Sequence, residues 1–310
     1  MEATAVILEA PERIAVGRLV LDSPGESDIV VDVRWSGIST GTERLLWSGR
    51  MPDFPGMGYP LVPGYESVGT VVEAGPGSVR KQGELVFVPG ARCFGKVRGL
   101  FGGAASRLVV GSDRVARLDP SLGEDGILLA LAATGYHALA GAPPPDLIVG
   151  HGVLGRLIAR LAVALGGEPV VWETNPARAE GATGYRVVHP ESDTNRGYRQ
   201  ICDVSGDAGI LDTLILHCAR GAEIVLAGFY AERLSFSFPP AFMREVRLRV
   251  AAEWRESDLA ATTALIDDGR LSFADLITHR RHAADAEDAY RVAFGDSACL
   301  KMVLDWRNMQ

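Results

Sequence analysis

Cysteine is scarce in this chain. Its 310 residues hold four, Cys93, Cys202, Cys218 and Cys299, and no two are spaced as CxxC. A disulfide framework and a structural zinc lobe are therefore not expected. Positive charge is also short: 31 Lys and Arg face 39 Asp and Glu, for a net charge of −8. That argues against nucleic acid and against an anionic membrane surface as partners. A local arginine cluster can still hold a small anion. No run of 18 uncharged apolar residues occurs, so no stable membrane insertion is expected. The first ten residues, MEATAVILEA, lack the basic region and apolar core of a secretory leader, and a reducing cytoplasm is the expected compartment. There is no internal repeat and no low-complexity segment.

Glycine is abundant, at 36 residues, and has no collagen-like period. Pro-Gly pairs at 24–25, 55–56, 63–64, 76–77 and 89–90 punctuate the first third of the chain. Between them lie short strand patterns: Thr4 to Glu9, Ile29 to Trp35 (IVVDVRW), Ser67 to Ala74 and Glu84 to Pro89. From Glu124 onward the pattern changes. Ile127 to Ala140 reads as a helix, and Pro143 to Pro145 breaks it. Strands at 147–149, 169–172, 201–204 and 223–227 then alternate with helices at 156–165 and 210–218. Apolar strands between helices indicate a parallel sheet covered on both faces. Helices at 257–268 and 285–294 and a strand at 301–305 end the chain.

The segment IVGHGVLG carries the strongest local motif, Gly150–His151–Gly152–Val153–Leu154–Gly155. It follows a short strand and opens an amphipathic helix, the context that a dinucleotide fingerprint requires. Gly150 permits the tight turn, Gly152 lets the backbone approach a pyrophosphate, and Gly155 lets helix and sheet pack closely. Glu173, in VVWETNPAR, stands 18 residues beyond Gly155. That suits an acid that binds the adenosine ribose diol and repels a 2′-phosphate, so NAD is favoured. Arg178 works the other way, since an arginine can accommodate that phosphate. Asp203 in ICDVSGDAG, with Ser205, and Gly228 and Phe229 in IVLAGFY lie at the carboxyl ends of later strands, where ligands bind in open α/β sheets.

A lone acid, Glu66, sits in the glycine-spaced stretch PGYESVGTVVEAG. That stretch, SGISTGTE, GHGVLG, ITHR and KMVL occur in an order that resembles the medium-chain dehydrogenase/reductase superfamily over essentially the whole chain. The resemblance implies α/β plus β architecture: a GroES-like β-rich catalytic domain from residues 1–123 plus 267–310, and a Rossmann doubly wound parallel sheet domain at 124–266. A closer resemblance is carried by WSGISTGTERLLWSGRMPDFPGMGYPLVPGYES and FVPGARCFGKVRGLFGGAASRLV. It is to the dehydrogenase family of bacteriochlorophyll synthesis that oxidises the 3-(1-hydroxyethyl) group of a bacteriochlorophyllide to 3-acetyl with NAD. The resemblance implies a tetrapyrrole as the small-molecule partner and a place at the periphery of photosynthetic membranes. A homodimer is the assembly to test.

Zinc members of the superfamily carry cysteine where this chain has Ser39 and histidine where it has Tyr65, and no cysteine stands near residues 130–134 for a third ligand. Zinc wants Cys, His or carboxylate ligands, so the chain reads as free of metal, with a carboxylate-rich site from Glu66, Glu43 and His137 as the lesser alternative. The proton of the alcohol then falls to Tyr65, Ser39 and Thr42 as a hydroxyl relay, with Glu66 as orienting group or base and His137 as a further relay candidate. Glu66 can equally be a paired, structural acid. Trp47, Phe54, Met57, Tyr59, Phe94 and Phe101 would face a flat apolar macrocycle, and Arg44, Arg50, Arg92, Lys96 and Arg98 stand near enough in sequence to meet a propionate. Each of these side chains can also be ordinary core or surface. Two rival functions stay open: an NADPH-dependent quinone or enone reductase without zinc, and a non-catalytic pigment carrier that keeps a vestigial nucleotide fold.

Overall fold

The structure, a computed structural model, describes residues 1–52 and 56–309. The chain divides into two compact units, Met1–Ala130 with Leu276–Gln310, and Leu131–Asp275.

In the first unit the long strand Asp28–Ile38 is the hub of a seven-stranded sheet. Its burial is nearly continuous because both faces are covered. One edge pairs antiparallel with Ser67–Ala74. The other edge is shared: Arg107–Gly111 covers residues 28–32, and the last strand, Met302–Asp305, covers residues 35–38. The chain end thus completes the sheet begun near the start. Trp306 locks it there, donating its indole N–H to Ser36 Oγ at 2.8 Å with both side chains buried. This closure sets Lys301 beside Ile38. A smaller four-stranded sheet joins Arg13–Val20, Glu2–Ala10, Leu61–Val62 and Arg98–Gly99.

The second unit is a six-stranded sheet with every pair parallel. Its order across the sheet is Arg186–Val188, Val170–Trp172, Leu147–Val149, Tyr198–Asp203, Cys218–Leu226, Arg247–Val250. In chain order that is third, second, first, fourth, fifth and sixth, the doubly wound arrangement of dinucleotide-binding sheets. The direction of winding reverses between Leu147–Val149 and Tyr198–Asp203, which opens a crevice at their carboxyl ends. The core strands are apolar and sealed: Leu147, Ile148, Ile201 and Ile224 have no exposed surface. The crossovers on the first-strand side are thin. Only the short 3-10 turns Pro176–Arg178 and Pro190–Ser192 separate the second, third and fourth strands. Among the described residues no helix is long and apolar enough to cross a membrane.

Candidate active site

The glycines of the fingerprint form a close-packed turn. Gly150 has φ +102°, a conformation that L residues rarely adopt. A Cβ on Gly155 would stand 1.8 Å from Gly150 O, so helix Val153–Ala164 could not pack against the turn with any side chain there. A Cβ on Gly152 would meet nothing within 4 Å, which leaves that backbone open for a ligand to approach. Glu173, half-buried at the end of its strand, accepts from His151 N at 3.0 Å and Asn175 N at 2.7 Å. The carboxylate is thereby fixed beside the glycine turn. His151 has no exposed surface, and its ring bonds Arg178 O and Tyr185 OH. Asp203 is also buried, accepts from Ser205 N at 3.0 Å and from Tyr230 OH at 2.6 Å, and has its pKa raised by burial. It ties together the two loops that carry Ser205, Gly228 and Phe229. Ser205 and Phe229 remain exposed there.

His137 lies on the helix Leu129–Leu139, and its Nδ1 meets Asp258 Oδ2 at 2.8 Å. The same carboxylate oxygen accepts Arg255 N at 2.8 Å and caps helix Glu256–Asp267. The histidine is held by a structural acid.

In the first unit the hydroxyls converge. Tyr65 OH donates to Ser39 Oγ at 2.7 Å, and Thr42 bonds the same phenol. Burial, with the neighbouring Glu66 charge, holds the Tyr65 phenol above its ordinary pKa, so it is a neutral donor near pH 7. Beneath this trio lie two buried carboxylates. Glu66 has no exposed surface, and Lys301 Nζ, equally buried, donates to its Oε2 at 2.5 Å and to Ile38 O at 3.3 Å. The other oxygen, Oε1, has no hydrogen-bond partner among the described residues. Gly37 makes room for the pair, since a Cβ there would fall 2.3 Å from Glu66 Oε2. Burial raises the Glu66 pKa and Lys301 opposes that rise. Glu43 accepts from Ser39 N at 3.0 Å and Tyr290 OH at 2.6 Å, and burial pushes its pKa up to about 7.

The sequence reading did not find Lys301 or Tyr290. Lys301 had a signal, a single charge at the mouth of the apolar strand KMVL. Tyr290 had none, because its partner is 247 residues away.

The aromatic candidates divide. Trp47, Met57, Tyr59 and Phe101 gather, partly buried, on one apolar cluster with Leu46, Met51 and Leu100. Phe101 and Tyr65 meet in a T-shaped contact at 5.4 Å between centroids, which joins this cluster to the hydroxyl trio. Arg98 caps its rim, donating to Tyr59 O at 3.4 Å. Phe94 is a correction: it is only 4% exposed and packs in the main core of the unit, because Cys93 and its neighbours are sewn to Asp22. Phe54 lies outside the described residues.

The donor set does not suit zinc. The two positions at which the resemblance implies metal ligands carry a serine and a phenol hydrogen-bonded to each other. The nearby carboxylates are already engaged, Glu66 by Lys301 and Glu43 by Tyr290. Among the described residues no three His, Cys, Asp or Glu side chains converge.

Residues 25–120 match the alcohol dehydrogenase GroES-like domain. Over 99% of both chains the sequence is 58% identical to the 2-desacetyl-2-hydroxyethyl bacteriochlorophyllide A dehydrogenase of Rhodobacter capsulatus. The chain belongs to the bacteriochlorophyllide a dehydrogenase family. The protein of that name from Cereibacter sphaeroides is 56% identical, again over 99% of both chains. Among solved structures, the 2R,3R-butanediol dehydrogenase of Bacillus subtilis is similar at TM-score 0.84 and 19% identity, covering 98% of this chain and 99% of that one. That likeness shows the medium-chain dehydrogenase/reductase fold, of which this family is a branch. The fold implies a nicotinamide cofactor, and the open backbone at Gly152 with the close turn at Gly150–Gly155 fits one.

Proposed function

We propose that this protein oxidises the 3-(1-hydroxyethyl) group of a bacteriochlorophyllide to 3-acetyl, with NAD and without catalytic zinc. The reading is carried by one observation above others: Ser39 and Tyr65, the positions at which the resemblance to zinc members implies metal ligands, are hydrogen-bonded to each other in a chain 58% identical to a bacteriochlorophyllide dehydrogenase.

Bound NAD would accept the carbinol hydride. The chain's own residues handle the proton. A substrate hydroxyl at Ser39 passes its proton through the Ser39–Tyr65–Thr42 set, the Tyr65–Ser39 hydrogen bond reversing its donor as it does so, and the partly exposed Tyr65 releases the proton to solvent water. Tyr65 relays rather than acting as base, because burial keeps the phenol protonated. Glu66 is sealed from substrate and acts as a positioning group: with Lys301 it fixes the backbone of residues 37–38 under Ser39. Glu43 holds the Ser39 amide. His137, tied to Asp258, stays a secondary relay candidate. A metal ion would ordinarily stabilise the alkoxide. Here the carbinol carbon is attached to a conjugated macrocycle, which spreads the positive charge that develops as hydride leaves. The demand on alkoxide stabilisation falls accordingly. Trp47, Met57, Tyr59 and Phe101 would receive the apolar ring and Arg98 a carboxylate. Glu173 would bind the adenosine ribose diol, with Arg178 beside it, and Gly150–Gly155, Ser205, Gly228 and Phe229 would line the rest of the cofactor site.

Purified protein given the hydroxyethyl pigment and NAD should yield NADH and acetyl pigment in equal amounts. Failure to oxidise the pigment together with NADPH-dependent reduction of a quinone or enone would replace this reading with the reductase. Calorimetry showing no NAD binding would point to a pigment carrier.

A further inference from the structure

The crossover between the second and third strands of the parallel sheet is residues 173–185, and it lacks the α-helix that such connections usually carry. Most of it is exposed, and Gly181 and Gly184 have φ +84° and +79°. A loop of this kind should wander. Instead it is clamped to the fingerprint by His151 and by Arg156, the residue that follows the last glycine. Arg156, 6% exposed, donates to four carbonyls: His151 O at 3.1 Å, Gly181 O at 3.2 Å, Arg178 O at 3.1 Å and Glu180 O at 2.6 Å. Residue 181 favours glycine: its φ is +84°, and a Cβ would stand 2.2 Å from Arg156 Nη1 and push the guanidinium aside.

His151 makes the second set of bonds. Its Nδ1 meets Arg178 O at 2.6 Å and its Nε2 meets Tyr185 OH at 2.8 Å, with the two rings edge to face. A carbonyl can only accept, so Nδ1 carries the proton and Nε2 accepts from the tyrosine. Tyr185 in turn accepts from Arg160. The imidazole is neutral, and burial pushes its pKa down to about 4. Glu173, half-buried where the loop begins, has its two oxygens fixed by His151 N and Asn175 N.

We propose that His151 and Arg156 are positioning residues for the adenosine half of the cofactor: they fold residues 173–185 onto the glycine turn and so hold Glu173 where it selects a ribose diol over a ribose 2′-phosphate. They touch no cofactor atom through their side chains. The inference rests on the NAD reading above, and its ligand class is an adenine dinucleotide.

Calorimetric affinities for NAD, NADP and ADP-ribose, with limited proteolysis at residues 178–184, test it. His151→Leu should weaken NAD and ADP-ribose by about tenfold, narrow the NAD-to-NADP ratio and open the loop to protease. His151→Asn keeps a donor near the Nδ1 position and should recover most of the affinity and protection. Tyr185→Phe, which removes one hydroxyl, serves if the leucine variant fails to fold, and should weaken binding by about threefold. NAD affinity, cofactor ratio and protease resistance all unchanged in folded His151→Leu or Tyr185→Phe would overturn the proposal. Wild-type protein that binds none of the three ligands would instead overturn the NAD reading itself.

Discussion

The two units carry their chemistry in opposite ways. In Leu131–Asp275 most of the proposed cofactor residues fall between Gly150 and Glu173, on one strand–turn–helix–strand run, and depend mostly on backbone: positive φ at Gly150, a missing Cβ at Gly155. In the other unit Ser39, Glu43, Tyr65 and Glu66 meet Tyr290 and Lys301 from the far end of the chain, and depend on side-chain charge and hydroxyls. The local site serves a ligand common to many dehydrogenases. The dispersed one carries the Ser39–Tyr65 pair on which the proposed zinc-free reading rests. A backbone site tolerates the loss of one side chain, whereas a buried charge network should not.

The largest effect should come from breaking that network. Lys301→Met leaves Glu66 charged or protonated in the core with no partner, and should cost about 3–5 kcal/mol in denaturant unfolding. Adding Glu66→Gln should recover much of the loss. A double variant as unstable as the single one would mean that the pair is not the source. Next in size is Tyr65→Phe, which should retain the melting temperature and lower single-turnover hydride transfer by about a hundredfold. Glu66→Gln should chiefly lower stability while its folded fraction transfers hydride normally. A large drop in hydride transfer by folded Glu66→Gln would return that acid to the reacting groups. On the backbone-built side the effect is smaller: Glu173→Ala should raise the KM for NAD and narrow the preference over NADP by about tenfold. An unchanged ratio of kcat/KM values would remove Glu173 from the ribose site.

The same contrast governs what could be read from sequence. Strands with an apolar face were legible: Ser67–Ala74 and Leu147–Val149 have the expected bounds. Arg13–Val20, Arg186–Val188 and Arg247–Val250 were not, because exposed polar and charged residues dilute their pattern. Glu66 could be singled out as an acid in need of a partner, but the partner itself was not legible. Lysine supplies it through a strand pairing between residues 35–38 and 302–305 that no local pattern encodes. His151 illustrates the reverse: its motif was legible, and the inward turn of its ring depended on Tyr185 and Arg178.

The smallest effect is one of pH. The Glu43 carboxyl is raised from 4.5 to about 7 in the folded protein. The folded state therefore holds a proton that the unfolded state has lost between those values, and this contribution to stability is full below the lower one and fades as pH rises through the upper. Glu43→Gln cannot ionise. Its stability should fall less than that of the wild type between about pH 5 and about pH 8 in chemical unfolding. Parallel profiles would show that Glu43 does not titrate in that range.

The central claim is that a hydroxyl pair stands in for a metal ion. Elemental analysis of purified, active protein, paired with turnover of the hydroxyethyl pigment before and after exhaustive chelation, tests it most directly. The account predicts well under one zinc per chain and the same rate of acetyl-pigment formation after chelation. One tightly held zinc per chain, whose removal abolishes turnover and whose return restores it, would contradict the account.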